Sequence, residues 1–93
     1  MEEQFYQWLL CNTNLGENSC RKYKRAVVTI SKLAYEENIT ERQLYGCNLK
    51  ELRNIKASLY DNNRFNIKNT TGNRMYSRAL EYYEQFLEEN GFN

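Results

Sequence analysis

No proline interrupts the 93 residues of this chain, and its four glycines stand apart from one another. A chain so short of helix breakers, with apolar residues returning every three or four positions, reads as all-α with short connections. From Glu2 to Cys11 the residues Phe5, Trp8 and Leu9 form one stripe, behind glutamates placed where a helix dipole favours them. NTNLGEN breaks the pattern, with Leu15 as a plug into the core. A second helix is expected from Ser19 to about Glu37, capped by Asn18 or Ser19. Tyr23, Ala26, Val27, Ile30, Leu33 and Ala34 make its buried face. At about 100° per residue, Arg21, Arg25 and Lys32 fall opposite.

A short third helix is expected from Thr40 to Tyr45, where TERQ has the form of a capping box with Thr40 as N-cap and Gln43 at N3. Gly46 stops it. The fourth, from Leu49 to Asp61, opens on the Asx-led NLKE and carries Leu49, Leu52, Ile55 and Leu59 inward. NNRFNIKNTTG then reads as the longest polar connection, anchored by Phe65 and Ile67. A fifth helix, starting at Thr71 or Asn73, presents Met75, Tyr76, Ala79, Leu80, Tyr83, Phe86 and Leu87 on one face. Gly91 is its expected C′ residue. The whole reads as one helical domain, residues 1–93: a bundle of four main helices and one short one.

The residue types exclude much chemistry. Histidine is absent, which removes the usual general base near neutral pH, the commonest metal ligand, and any Ser/His/Asp or Cys/His set. There is no glycine-rich nucleotide loop. Cys11, Cys20 and Cys47 are an odd number with no C-x-x-C pair, against a disulfide framework or a zinc site. We therefore expect no enzyme, no metal, no cofactor and no small-molecule substrate. Met1-Glu2-Glu3 lacks the basic start of a secretory signal. No apolar run approaches the roughly 18 residues of a membrane span. A reducing cytoplasm is the expected location.

The charges are informative by position. The formal net charge is only +1, but Arg21 to Arg78 contains all thirteen basic residues and five acids, a formal +8. The second helix begins basic and ends on Glu36 and Glu37. The last begins with Arg74 and Arg78 and ends on Glu88 and Glu89. Each such exposed charge opposes the helix dipole by about 0.3–1 kcal/mol. Basic side chains added to the amides of a helix N-terminus make an anion site, and two such ends fit a phosphate backbone. The plainer alternative is a solvated surface, with Arg78 and Glu81 paired along the helix and both glutamate pairs as solvated tails.

In order, FYQWLL, LGENSCRKYKRAVVTISKLA, NLKELRNIKASL and NTTGNRMYSRALEYYEQFLEENG resemble the SAM-like core-binding (N-terminal) domain of tyrosine recombinases and phage integrases. Ser19 and Tyr23 match the family's second-helix motif, and TTGNRMYSRALEYYEQFLEENG is similar to its last helix. The last stretch is also similar to helical modules at the front of bacterial restriction-endonuclease-like proteins. The resemblance implies a non-catalytic module for double-stranded DNA that accompanies a separate catalytic domain in a longer parent protein. It implies that DNA faces the second and last helices, at Arg21, Lys22, Lys24 and Arg25, and at Thr71, Asn73, Arg74, Ser77 and Arg78. Such a module is expected to bind weakly, with little sequence preference. The rival expectation is a protein-interaction module, or a small inhibitor or adaptor from a bacterial mobile element or defence system. Its mark would be an exposed aromatic patch drawn from Phe5, Tyr6, Trp8, Tyr82 and Phe92.

Overall fold

A computed structural model describes residues 1–92. Among them are five α-helices, α1 (Glu2–Asn12), α2 (Glu17–Glu36), α3 (Leu49–Tyr60), α4 (Asn63–Thr71) and α5 (Met75–Glu89), and one 3₁₀ turn at Leu44–Gly46. No strand is present among the described residues. The architecture is all-α, as the lack of helix breakers predicts.

The long helix α2 is the spine. It packs against α1, α5 and the 3₁₀ turn, and α5 also meets α1, α3 and α4. The stripe Tyr23, Ala26, Val27, Ile30, Leu33 and Ala34 is buried as its spacing requires. Phe5 fits against Tyr83 edge-on at 5.1 Å and against Phe86 at 5.6 Å. Each fully buried Leu or Phe of this core removes apolar area worth about 1.5–3 kcal/mol. Phe5, Leu9, Leu52, Leu59, Leu80 and Leu87 are all completely enclosed.

Polar groups hold the 3₁₀ turn onto that core. The Leu44 amide donates to Ser31 Oγ at 2.9 Å, and Ser31 donates in turn to the Val27 carbonyl. The Tyr83 hydroxyl donates to the Leu44 carbonyl at 3.0 Å. Tyr45 reaches the Lys24 carbonyl at 2.8 Å. Burial pushes the Tyr45 and Tyr83 phenols far above their ordinary pKa, so both remain donors at any physiological pH.

Four expectations need correction. The TERQ segment forms no helix: the Thr40 hydroxyl accepts the Arg42 amide in a tight side-chain turn, and the helical turn starts only at Leu44. A local Thr-to-backbone bond competes with the cap there. The second helix starts earlier than Ser19, at Glu17, with Gly16 as N-cap and no side-chain cap. The fifth is capped by neither Thr71 nor Asn73; it starts at Met75, with Arg74 in the N-cap position. The polar run NNRFNIKNTTG is mostly helix α4, opened by Asn62, whose side chain accepts the Phe65 amide at 2.9 Å. Phe65 is its buried anchor, whereas Ile67 is 60% exposed. The capping box at Asn48 and Glu51 and the positive φ of Gly91 agree with the sequence.

Candidate nucleic-acid interface

Helix α4 accounts for the reversed charges. At its start, Glu36 and Glu37 from the end of α2 receive the Arg64 guanidinium at 2.8 and 3.3 Å. Glu37 also accepts from the side chain of the N-cap, Asn62, at 3.1 Å. These hydrogen bonds, Asn62 first and then Arg64, hold the Glu37 carboxyl below its ordinary pKa. The two glutamates are thus not solvated tails. They oppose the dipole of α2 and favour that of α4.

At the other end the logic is the same with the sign changed. The four residues from Thr71 to Arg74 carry the chain from α4 into α5, so the basic start of α5 is also the surroundings of the C-terminus of α4. Lys68 and Arg74 lie where that terminus favours cations. Moreover, the two ends satisfy each other. The carbonyls of Lys68, Asn69 and Thr70 accept the amides of Gly72, Arg74 and Asn73. The Gly72 carbonyl accepts Met75, and the Asn69 side chain accepts the Ser77 amide at 3.0 Å. A Cβ at Gly72 would lie 3.0 Å from the Tyr76 ring and 3.3 Å from the Lys68 carbonyl, so a side chain here would need the Tyr76 ring to give by a few tenths of an ångström. Most amide donors expected to receive an anion at the start of α5 are already engaged. At the start of α2, Glu17 stands in the first turn and pairs with Arg21.

The side chains are another matter. Arg21, Lys24, Arg42, Arg53, Lys56 and Arg64 are held in ion pairs. Lys22, Arg25, Lys32, Lys50, Lys68, Arg74 and Arg78 make none among the described residues. All but Lys50 belong to α2, α4 and the start of α5.

Three contacts fix how those elements adjoin. Thr29, Lys32 and Leu33 of α2 line one cleft with Arg64, Ile67 and Lys68 of α4. Lys68 Nζ stands 5.2 Å from the Tyr76 ring of α5. Tyr23 of α2 packs on Tyr82 of α5 at 5.4 Å. Seven residues are nearly two full turns, so Lys22 shares the line of Thr29, and Arg25 that of Lys32. Arg78 stands one turn before Tyr82. Lys32 and Lys68 therefore meet at one cleft; Lys22 and Arg25 lie exposed about three and two turns before Lys32 on α2, Arg78 is exposed one turn before Tyr82 on α5, and Arg74 is exposed at the α4–α5 joint.

The residues named from sequence divide accordingly. Lys22, Arg25, Arg74 and Arg78 are exposed and make no ion pair among the described residues. Arg21 is tied to Glu17, and Lys24 points toward α1, with its ammonium 4.9 Å from the Tyr6 ring and 3.9 Å from Glu3. Thr71 and Asn73 are exposed at the joint. Both donors of Ser77 are engaged, its amide with Asn69 and its hydroxyl with the Arg74 carbonyl, so it has none to offer a phosphate. Lys32 and Lys68 were absent from that set. A sequence signal for Lys68 exists: between Asp61 and Glu81 there is no acid and four cations.

The aromatic patch of the rival reading is smaller than its residue list. Phe5 and Tyr6 are buried, and Trp8, Tyr82 and Phe92 are half-buried. Trp8 and Phe92 line a shallow cleft with Phe86 between α1 and the C-terminal turn. Neither a metal-holding cluster of His, Cys, Asp or Glu nor a helix long and apolar enough to cross a membrane occurs among the described residues. Comparison of the chain with family models, with curated proteins and with solved structures gave no match.

Proposed function

We propose that this protein is a non-catalytic module that binds the phosphate backbone of double-stranded DNA. The observation that carries the reading is a set of cations without ion pairs among the described residues: Lys22, Arg25 and Lys32 of α2, Lys68 of α4, which shares a cleft with Lys32, and Arg74 and Arg78 beside the start of α5. Phosphates are gripped by these side chains rather than by helix-end amides. Contacts of this kind are sequence-independent and salt-sensitive, with dissociation constants of about 10⁻⁴–10⁻⁶ M at physiological salt. The reading takes the helix order as the SAM-like core-binding type that the sequence resembles, with α4 in place of a polar connection. A catalytic domain acting on the same DNA, in a longer parent protein, fits such a weak clamp.

Fluorescence anisotropy of a labelled random-sequence duplex tests this. Binding at low salt that is lost in a folded Arg25→Ala/Arg74→Ala/Arg78→Ala variant is the expected result. A wild-type protein that leaves the duplex free at low salt contradicts it and shifts attention to the Trp8–Phe86–Phe92 cleft as a protein-docking surface.

A further inference from the structure

Helix α4 is unusual in what it leaves outside. Of its residues Asn63–Thr71, only Phe65 is buried. A helix of nine residues with three asparagines, two threonines and an isoleucine has poor intrinsic propensity, so it is held by its caps and by Phe65. Its polar side chains fall into two sets. One set is engaged in hydrogen bonds: Asn62 caps the helix and binds Glu37, Asn66 donates to the Tyr60 carbonyl at 2.9 Å, and Asn69 caps α5. The other set is free. Asn63, Thr70 and Thr71 are exposed, and their side chains make no hydrogen bond among the described residues.

The free side chains lie in register. Asn63, Ile67 and Thr70 stand at i, i+4 and i+7, opposite Phe65, and make one outward line. No acid occurs in the helix. Lys32 adjoins it on the α2 side, and Arg74 follows its C-terminus. An asparagine, a threonine and an exposed branched apolar side chain are the groups that read base edges: amide to adenine, hydroxyl to either partner, apolar surface to the thymine methyl. A helix about 10–12 Å across, side chains included, fits a major groove about 12 Å wide.

We infer that α4 is the groove-reading element of the module, with Asn63, Ile67 and Thr70 contacting base edges while Lys32 beside it and Arg74 after its C-terminus hold phosphates. This rests on the DNA-binding reading above. It adds to that reading a sequence preference, which backbone contacts alone do not give.

Selection from a random duplex library, with the wild type and with an Asn63→Ala/Ile67→Ala/Thr70→Ala variant, tests it. All three positions are exposed, and alanine raises helix propensity, so the variant keeps α4 folded; circular dichroism checks this. The wild type should enrich a short motif and prefer it over random duplex by roughly ten- to a hundredfold. The variant should bind random duplex as the wild type does and lose that preference. A variant that enriches the same motif overturns the assignment of α4. So does a wild type that binds random duplex and enriches nothing. A wild type that binds no duplex at all overturns the DNA reading itself, and this inference with it.

Discussion

The side-chain carbonyl of Asn69, in the last turn of α4, accepts the backbone amide of Ser77, in the first turn of α5, at 3.0 Å. A residue eight positions back in the chain thus does for α5 what an N-cap side chain does locally, and α5 has no side-chain cap of its own. Replacing a capping side chain by alanine costs about 0.5–2 kcal/mol. Asn69→Ala should therefore lower the stability measured by urea denaturation by about 1 kcal/mol, with the loss of helical signal small.

Arg74 has φ 64°, in the left-handed region, directly after Asn73 at φ 55°. Asparagine tolerates this conformation, whereas arginine is strained there by about 1–2 kcal/mol. Glycine has no such strain but loses more freedom on folding. Arg74→Gly should keep stability unchanged or raise it by up to about 1 kcal/mol, while weakening binding to random duplex. A combined denaturation and anisotropy measurement separates the two effects, because a residue placed there for folding alone would show no loss of binding.

The two backbone groups of Leu44 depend unequally on side chains. Its carbonyl accepts from Tyr83 and also from the Cys47 amide, whereas among the described residues its amide has only Ser31. Removing the sole partner of a buried donor costs about 1–3 kcal/mol, and removing one of two donors to a carbonyl about 0.5–1.5 kcal/mol. Ser31→Ala should thus destabilise more than Tyr83→Phe, with both variants compared by thermal or urea unfolding.

Glu84 of α5 receives Lys56 at 2.7 Å and Arg53 at 3.3 Å from α3. Burial alone would raise its pKa; the Lys56 hydrogen bond and charge, with those of Arg53, outweigh burial and lower it from 4.5. A carboxyl depressed in the folded state contributes its stability in full above the unfolded value and loses it as pH falls through the folded value. Stability should therefore fall on acidification below about pH 4.5. Glu84→Gln should remove part of that slope and leave a protein less stable at pH 7. Urea titrations at a series of pH values read both.

The apolar stripes of α1, α2, α3 and α5 were legible because each places large side chains at helical spacing, and those faces pack on the core, with Trp8, Met75 and Tyr76 half-buried at its edge. Helix α4 was not, because it has one core residue and a composition that resembles a loop. The two apolar residues of NNRFNIKNTTG, Phe65 and Ile67, stand two apart, which is no helical spacing. Its absence from the sequence reading is also why the charges of α2 and α5 looked misplaced. Glu36 and Arg74 make electrostatic sense only against the ends of a helix lying between them in the fold. TERQ erred in the opposite sense, since a capping pattern is a local signal and the Thr40 hydroxyl had a nearer amide to accept. For the candidate site, spacing alone identified Arg25, Arg74 and Arg78 as exposed. It did not separate Arg21 from them, because Glu17 pairs with Arg21 only once the earlier start of α2 is in place; Lys24 was not placed among them by spacing, and Glu3 and Tyr6 of α1 meet it in the fold.

The salt dependence of duplex binding tests the phosphate-gripping cations most directly. Binding constants for a random duplex, measured by anisotropy at several salt concentrations, give a slope of about −0.9 per phosphate contact in a log–log plot. The wild type should bind most tightly at low salt. The folded Arg25→Ala/Arg74→Ala/Arg78→Ala variant should bind more weakly, with a slope shallower by up to about 2.7. A variant with the same slope and affinity as the wild type, or a wild type that does not bind at low salt, would contradict the account.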